Sequence, residues 1–356
     1  MRINKNTRLW FRAVRFLLAI VIALGVSFVI IAFSTDAPVR AVVNLFTGPV
    51  TSVRRFSTVF ETMIPLTFSG LAVCIMFKAN QFNLAAEGAL YAGALTAAIV
   101  GIYVQGPGWA VKAAAILAGG MIGCLIGAIP GIAKVRWGAS ELVLSLMLNT
   151  VVLNLGTFLF NRVARDPAPS YAASYELPRE VSLVNLIPGT RMHSGLIIAA
   201  CFVAGSAVLI YKTKWGFQLN MTGSNLNFAK YAGIHTALII ISAQLVGGFI
   251  AGAGGATEML GLYRRFQWTS LPGYGFDGVI LNILAGSNPL LIPIAAFFLA
   301  FVRIGADYMY RQSDVAAEIV SIIEGIIILL VMASAFLAKW EHRLTTKASV
   351  TGGESA

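Results

Sequence analysis

The chain has 356 residues, of which 58% are hydrophobic and only 12% are charged, whereas a soluble domain carries about 25% charged residues. This composition excludes an ordinary soluble fold and predicts a single polytopic membrane domain over residues 1–356. The net charge of +11 does not indicate a nucleic-acid partner. Basic residues accumulate in the cytoplasmic loops beside membrane spans, and no separate basic domain interrupts the apolar runs.

The N-terminus combines a basic segment with an uncharged run from Phe16 to Phe33. The run is longer than the apolar core of a usual signal peptide, and no small-residue cleavage site follows it. We therefore predict a first transmembrane helix that starts in the cytoplasm. The basic residues before this run are Arg2, Lys5, Arg8, Arg12 and Arg15.

Hydropathy predicts an all-α membrane protein of about ten transmembrane segments, with both termini in the cytoplasm because of the dense basic N-terminus. The eighth segment is too short to span as a straight helix. It predicts a broken helix near the midplane, which a membrane protein tolerates only where protein covers it or it lines a cavity. The predicted segments are 13–33, 61–77, 83–103, 110–130, 140–161, 194–212, 237–257, 276–286, 289–305 and 315–337.

Four polar segments complete the predicted topology. Residues 1–12 and 338–356 form the cytoplasmic termini, and the proline-containing segment 162–193 lies outside the cell. Residues 213–236 form the main cytoplasmic loop. Helix-forming residues after Asn225 predict a short helix lying across the membrane plane within this loop.

Two glycine-rich stretches indicate close helix packing. Gly119, Gly123, Gly127 and Gly131 recur every four residues, so they line one helix face and allow another helix to approach. The second stretch covers residues 247–255. Neither stretch ends in Lys-Ser or Lys-Thr, so neither is a phosphate-binding P-loop.

The segment FNLAAEGALYAGALTAA, residues 82–98, places Asn83 and Glu87 at the head of an apolar helix. A carboxylate in hydrocarbon is costly unless it faces a polar cavity, so Glu87 indicates a polar path through the membrane. Residues 276–286 weakly resemble this segment and place Asp277 near their start. The two segments are predicted to run in opposite directions, as in an inverted repeat whose broken helices meet at the midplane.

Four motifs resemble the permease subunits of ATP-binding-cassette (ABC) importers for simple sugars and nucleosides, and they lie closest to the nucleoside-type branch. They cover most of the chain in the order expected for that family. The motifs are NQFNLAAEGALYAGAL (residues 80–95), ASELVLSLMLNTVVLNL (139–155), TGSNLNFAKYAGI (222–234) and PGYGFDGVILNILAGSNP (272–289).

The resemblance implies a division of labour among several proteins in the cytoplasmic membrane of a prokaryote. This chain would be one of two permease subunits, the second being a copy or a homologue, embedded in membrane lipid. Separate ABC ATPase subunits would bind ATP and Mg²⁺ and hydrolyse ATP, so this chain would bind no cofactor and would not itself be an enzyme. An extracytoplasmic substrate-binding protein or lipoprotein would deliver the solute.

The resemblance also implies that residues 223–234 form the coupling helix, which sits in a groove of the ATPase and transmits a rigid-body movement. The coupling residues are then Gly223, Asn225, Ala229, Lys230 and Gly233.

The predicted substrate pathway uses polar residues inside the membrane, together with two aromatic residues whose faces suit a nucleobase. Each has a structural alternative: Glu87 as the partner of a basic group, Asn149 as a hydrogen-bond partner of a neighbouring helix, and the aromatic residues as anchors at the membrane surface. Glu258 and Glu324 are further acids in apolar surroundings without an assigned partner. The pathway residues are Asn83, Glu87, Asn149, Asp277, Asn282, Phe266 and Trp268.

The predicted function is ATP-driven import of a nucleoside of purine type by alternating access. One alternative is the same machine acting on a simple sugar or a riboflavin-like solute. A second is a secondary transporter in which Glu87 and Asp277 bind protons or ions. A membrane-embedded enzyme is disfavoured, because no nucleophile–base pair, carboxylate pair or metal-binding pattern occurs at usable spacing.

Overall fold

The computed structural model of the protein describes residues 37–313 continuously, together with residues 25–26, 28–29, 32, 316, 318–319, 322–323 and 325–330. The described residues are largely helical and contain two isolated antiparallel bridges, Arg165–Ser174 and Asn185–His193. The predicted all-α membrane fold is therefore confirmed.

Seven helices of the described residues are long and apolar enough to cross a membrane, and one shorter apolar helix accompanies them. The predicted count of ten is not confirmed. The predicted segments 13–33 and 315–337 lie largely outside the described residues, as do the predicted cytoplasmic termini.

Between residues 37 and 313 the structure contains eleven α-helices, which we number in chain order. Helix α5 continues into a π-helical turn at Phe160–Ala164. The helices are α1 (Pro38–Thr47), α2 (Val53–Lys78), α3 (Ala86–Tyr103), α4 (Gly108–Trp137), α5 (Glu141–Leu159), α6 (Gly195–Lys212), α7 (Lys214–Ser224), α8 (Leu226–Tyr231), α9 (Thr236–Leu262), α10 (Tyr274–Leu284) and α11 (Ile292–Gln312).

Two helix starts differ from the prediction. Helix α2 begins at Val53 and not at residue 61, because Arg54 and Arg55 lower the hydropathy of a segment without preventing a helix. Helix α3 begins at Ala86, so Asn83 lies in the connection before the helix and not in its first turn.

The described residues divide into two compact units, one of residues 57–300 and one of the described residues before 57 and after 300. In the second unit, helix α1 begins with Pro38, which suits a first helical position because its missing N–H would have no partner there. The guanidinium of Arg55 lies 4.2 Å from the centroid of the Tyr308 ring. Gly48 also contacts this ring so closely that a Cβ would collide with it.

The core of the 57–300 unit is built around α9, which packs against α4 and α3. Gly123 of α4 lies against the carbonyl oxygen of Gly248 and the backbone of Gly252, both in α9. Gly119 approaches the carbonyl oxygen of Gly93 in α3, where a Cβ would lie 2.9 Å from it. The predicted close approach at the glycine face of α4 is thus observed, and it brings three helices together.

The segment between α5 and α6 is irregular but attached to the segment that follows α9. Ser174 N–H donates to the carbonyl of Phe266 at 3.0 Å, and Arg265 pairs with Asp166 at 2.6 Å. The hydrogen bond from Arg265 lowers the pKa of the Asp166 carboxyl. This end of the unit is therefore covered by an ordered segment.

Candidate functional site

Buried polar side chains converge where α3 and α10 begin. We call this group the polar junction and define it as Asn83, Glu87, Asn149, Gln244 and the segment 273–277. Asn83 is 0% exposed, Glu87 1% and Asn149 3%. So much buried polarity inside a helical membrane bundle requires internal hydrogen bonds, because lipid supplies none.

Glu87 holds the start of α10. One carboxylate oxygen accepts the N–H of Gly273 at 2.6 Å, and the other accepts the N–H of Gly275. Gly273 has φ +86°, a left-handed conformation that glycine adopts at little cost. The first N–H groups of a helix have no partner within the helix, and a negative charge there is favourable. Glu87 therefore caps α10 from the first turn of α3.

Asn149 of α5 fixes the start of α3. Its side-chain oxygen accepts the N–H of Gly88 at 3.0 Å, and its side-chain nitrogen donates to the carbonyl of Leu84 at 3.0 Å. Ser145, one turn earlier in α5, accepts the N–H of Leu84 at 3.0 Å. Both polar atoms of the Asn149 side-chain amide, which was predicted to line the pathway, are therefore hydrogen-bonded to backbone groups in this conformation.

Asn83 connects the junction to α9. Its side-chain oxygen accepts the N–H of Ala85 at 2.7 Å, and its side-chain nitrogen donates to Gln244 at 2.6 Å. The side-chain nitrogen of Gln244 is buried without a hydrogen-bond partner in the described part of the chain. Sequence reasoning missed Gln244, although a glutamine within the apolar run of residues 237–257 is a signal of the same kind as Glu87.

Helix α10 carries the two remaining polar residues of the predicted pathway. Asp277, in its first turn, is 7% exposed and lies within electrostatic range of Glu87. Asn282 is 3% exposed, and its side-chain oxygen is buried without a hydrogen-bond partner among the described residues. The hydroxyl of Ser69 in α2 donates to the carbonyl of Tyr274, so α10 is held from both α2 and α3.

The two aromatic residues of the predicted pathway differ in their environment. Phe266 is 1% exposed, and its ring centroid lies 5.7 Å from that of Tyr91, 5.6 Å from Phe160 and 5.9 Å from Trp268. Trp268 is only partly buried. In this conformation Phe266 is a packing residue without a free face, while Trp268 retains accessible surface.

The predicted cytoplasmic loop contains two helices, α7 and α8, where one was expected. Thr213 caps α7 by accepting the N–H of Gly216 at 3.1 Å. Asn225 caps α8 by accepting the N–H of Phe228 at 3.0 Å. Such side-chain caps are favoured at helix starts. The short helix predicted after Asn225 is therefore present as α8.

The five predicted coupling residues lie along the end of α7, in α8 and in the turn that follows. Gly223 lies against the carbonyl oxygen of Lys78 at the end of α2, and Ala229 is fully buried. Lys230 is exposed, and Gly233 has φ +79°. Tyr231 is 93% exposed, so α8 offers a protruding aromatic side chain that the sequence reasoning did not select.

The sequence matches the family model described as "Branched-chain amino acid transport system / permease component" over residues 56–332. It is 30% identical to the guanosine ABC transporter permease protein NupP of Bacillus subtilis, covering 89% of this chain and 92% of the relative. It is 29% identical to the glucose ABC transporter permease protein TsgB13 of Haloferax volcanii, covering 95% and 93%. It is 26% identical to the nucleoside ABC transporter permease protein NupB of Lactococcus lactis, covering 92% and 93%.

The family match covers more than half of the chain, and it agrees with the resemblance recognised from the four motifs. The seven apolar helices provide the membrane-spanning body that such a subunit requires. The chain belongs to the permease family of branched-chain amino acid transport systems and is a multi-pass membrane permease component of an ABC transporter.

Proposed function

We propose that the chain imports a nucleoside, of purine type, across the cytoplasmic membrane by alternating access. The main support for this proposal is the polar junction, because it links the starts of two apolar helices through buried hydrogen bonds. Buried polar groups in a membrane protein are expected along a solute path. The names of NupP and NupB support a nucleoside, whereas that of TsgB13 supports the sugar alternative.

In this proposal the junction residues divide into two roles. Glu87 and Asn149 hold the starts of α10 and α3, since their polar atoms bond backbone groups. Asn282 faces the path, because its buried side-chain oxygen has no partner in the described region. Asp277 and Trp268 complete the path beside it. Two of the path residues, Asp277 and Asn282, thus sit on α10, and Trp268 lies in the segment before it.

Partner subunits supply the energy in this proposal. A separate ATPase binds ATP and Mg²⁺ and contacts α7 and α8, a second permease copy or homologue completes the path, and a binding protein delivers the solute. Lys78 at the end of α2 lies 3.4 Å from the side-chain oxygen of Asn220 in α7. A displacement of α7 and α8 is therefore transmitted to α2, whose Ser69 holds α10.

The function is tested by uptake into proteoliposomes that contain the complete complex. We expect ATP-dependent uptake of guanosine or adenosine in preference to uridine, ribose, glucose and riboflavin. Uptake by the permease without its ATPase, driven by a pH gradient, would contradict the proposal and favour the secondary transporter. ATP-dependent uptake of glucose or riboflavin, without uptake of any nucleoside, would support an ATP-driven importer but contradict the proposal that its substrate is a nucleoside.

The orientation is tested by cysteine accessibility in a variant that lacks Cys74, Cys124 and Cys201. We expect Ser170→Cys to react with an impermeant maleimide from outside intact cells and Ser224→Cys only after permeabilisation, because both positions are exposed. Labelling of position 224 from outside would reject the cytoplasmic placement of α7 and α8.

Ser174 lies in the same predicted outer segment, 162–193, but it is not a suitable site for this experiment. It is fully buried and accepts the N–H of Phe266 at 2.9 Å, so a cysteine there would be shielded on either side of the membrane.

The coupling role is tested by two substitutions in or beside α8. Gly233→Pro imposes a φ of about −65° where the observed φ is +79°. Ala229→Asp places a carboxylate in a buried position. We expect both variants to reach the membrane but to lose most substrate-stimulated ATPase activity. Glu180→Gln, at an exposed position outside α7 and α8, is the control and should retain it. Normal coupling in both test variants would exclude α8 as the coupling element.

A further inference from the structure

A second buried polar group lies apart from the polar junction. Glu61 of α2 is 6% exposed and Glu258 of α9 is 1% exposed, and we call them the carboxylate pair. In each residue the Oε2 atom is buried and has no hydrogen-bond partner among the described residues. The two carboxylates are close enough to repel each other electrostatically. Native buried polar atoms are nearly always bonded, so two such oxygens within electrostatic range of each other indicate a missing partner.

The carboxylate pair lies at the end of the unit opposite α7 and α8. At 1.5 Å per helical residue, Glu61 is about 25 Å from Lys78 along α2, and Glu258 is about 33 Å from Thr236 along α9. Ser69, which bonds the start of α10, lies about 12 Å further along α2 than Glu61. A solute that enters at this end would therefore meet the carboxylate pair before it reaches α10.

Two aromatic side chains stand beside the carboxylate pair. Burial raises the pKa of the Tyr263 hydroxyl, and the nearby charges of Glu258 and Glu61 raise it further. Tyr263 therefore lies within electrostatic range of both acids. Its ring meets that of Trp268 edge to face, with centroids 5.8 Å apart. Both aromatic residues are partly exposed, so the group has an accessible apolar edge and a buried acidic end.

The chemistry of this group selects a class of ligand. Carboxylate oxygens only accept hydrogen bonds when ionised, so the ligand must supply O–H or N–H donors. Two buried carboxyl groups within electrostatic range share one proton more readily than they both ionise, and the remaining negative charge repels an anion. Arg191 lies within electrostatic range of Glu61 and Tyr263 and offsets part of the charge, which lowers the attraction for a free cation. The aromatic edge offers a surface for the carbon face of a ring. A neutral solute with neighbouring hydroxyl groups meets all of these conditions.

We propose that Glu61 and Glu258 form an entry subsite that accepts hydrogen bonds from neighbouring hydroxyl groups of the transported solute, with Tyr263 and Trp268 packing against its ring. The ribose of a nucleoside and a free sugar share this chemistry. The proposal rests on the proposed transport function, and it adds the part of the solute that is recognised and the residues that recognise it.

The test compares uptake of a nucleoside with uptake of its 2′,3′-dideoxy form by the complete complex in proteoliposomes. We expect the wild type to prefer the hydroxyl-bearing form. Glu258→Met removes both acceptor oxygens at similar size. It should lower uptake of the nucleoside about tenfold while changing uptake of the dideoxy form less than about twofold. The preference should therefore largely disappear. The binding protein is the same in all samples, so its own preference cancels when variants are compared with wild type.

Two further variants keep the result interpretable. Glu180→Gln changes an exposed carboxylate and should leave the preference unchanged. Glu258→Gln keeps one acceptor and nearly the same shape, so it should lose part of the preference even if Glu258→Met folds poorly. Uptake is normalised to monodisperse protein in each case. An unchanged preference in folded Glu258→Gln and Glu61→Gln would overturn the subsite.

The same experiment separates this proposal from the proposed nucleoside function. If the wild type imports glucose and no nucleoside, the nucleoside proposal fails, and the comparison is repeated with glucose and its deoxy forms. Loss of the preference in the Glu258 variants would then still support the subsite. Import of a solute without hydroxyl groups, at a rate equal to its hydroxyl-bearing analogue, would overturn the subsite directly.

Discussion

Replacing Glu87 with leucine is expected to abolish uptake and to lower the amount of folded protein. The carboxylate accepts the N–H groups of Gly273 and Gly275, and leucine accepts neither. Each buried donor left without a partner costs about 1–3 kcal/mol, so the total is about 2–6 kcal/mol, a large part of the stability of a typical domain. Loss of the negative charge at the start of α10 adds to this cost.

Glu87→Gln is expected to have an intermediate effect. Its carbonyl oxygen can accept one of the two N–H groups, but its NH₂ group faces the other donor and cannot accept it. We expect partial uptake per folded molecule and a smaller loss of thermal stability than in the leucine variant. Uptake of radiolabelled substrate, divided by the amount of monodisperse protein, measures both effects.

The control for both variants is Glu176→Gln. Glu176 pairs with Arg264 at 3.6 Å, and its side chain is 52% exposed, so its removal should change stability by less than about 1 kcal/mol. Normal uptake and folding in Glu87→Leu would remove Glu87 from both the capping role and the path. Equal and complete loss of uptake in folded Gln and Leu variants would show that the charge itself is required, as in an ion-coupled transporter.

The sequence identified Glu87 but not what it binds. An acidic residue at the head of an apolar helix is visible in one window of the chain, whereas Gly273 lies 186 residues away. Hydropathy carries no information about such a pairing. The expected meeting of the Glu87 and Asp277 segments came from a weak internal similarity, and the structure places the starts of α3 and α10 together. The inverted repeat itself stays a prediction.

Helix ends were predicted less well than helix positions. Helix α1 was not predicted, because it is short and its sequence, PVRAVVNLFT, carries a charge and a polar residue. Helix α7 was taken for loop because Lys214, Gly216 and Asn220 lower its hydropathy. The helix cap at Thr213 is a local signal that is visible in the sequence, so the start of α7 could have been predicted.

The carboxylate pair illustrates a second limit of sequence reasoning. Glu258 was identified as an acid without an assigned partner. Glu61 lies at the edge of a predicted segment, where an acidic residue does not indicate a buried site. Their proximity depends on the packing of α2 and α9, which are far apart in the chain. Glu324 lies outside the described residues.

Gly123→Ala is expected to destabilise the protein strongly, although alanine is the better helix former. A Cβ at Gly123 would lie 2.8 Å from the Cα of Gly252 and 2.9 Å from its backbone nitrogen. These are backbone atoms of the facing helix, so α4 and α9 must separate. Overpacking of this kind costs about 1–3 kcal/mol, which exceeds the gain of up to about 1 kcal/mol from replacing a helical glycine. Gly123→Leu should prevent folding.

Gly205→Ala is the matched control, because it makes the same chemical change within a helix, and a Cβ there would meet nothing within 4 Å. We expect this variant to keep or slightly raise the thermal unfolding temperature in detergent, since alanine favours the helix. Gly123→Ala should lower that temperature by several degrees, with a parallel loss of uptake. Equal stability of the two variants would show that α4 and α9 do not approach as closely as the glycine face of α4 requires.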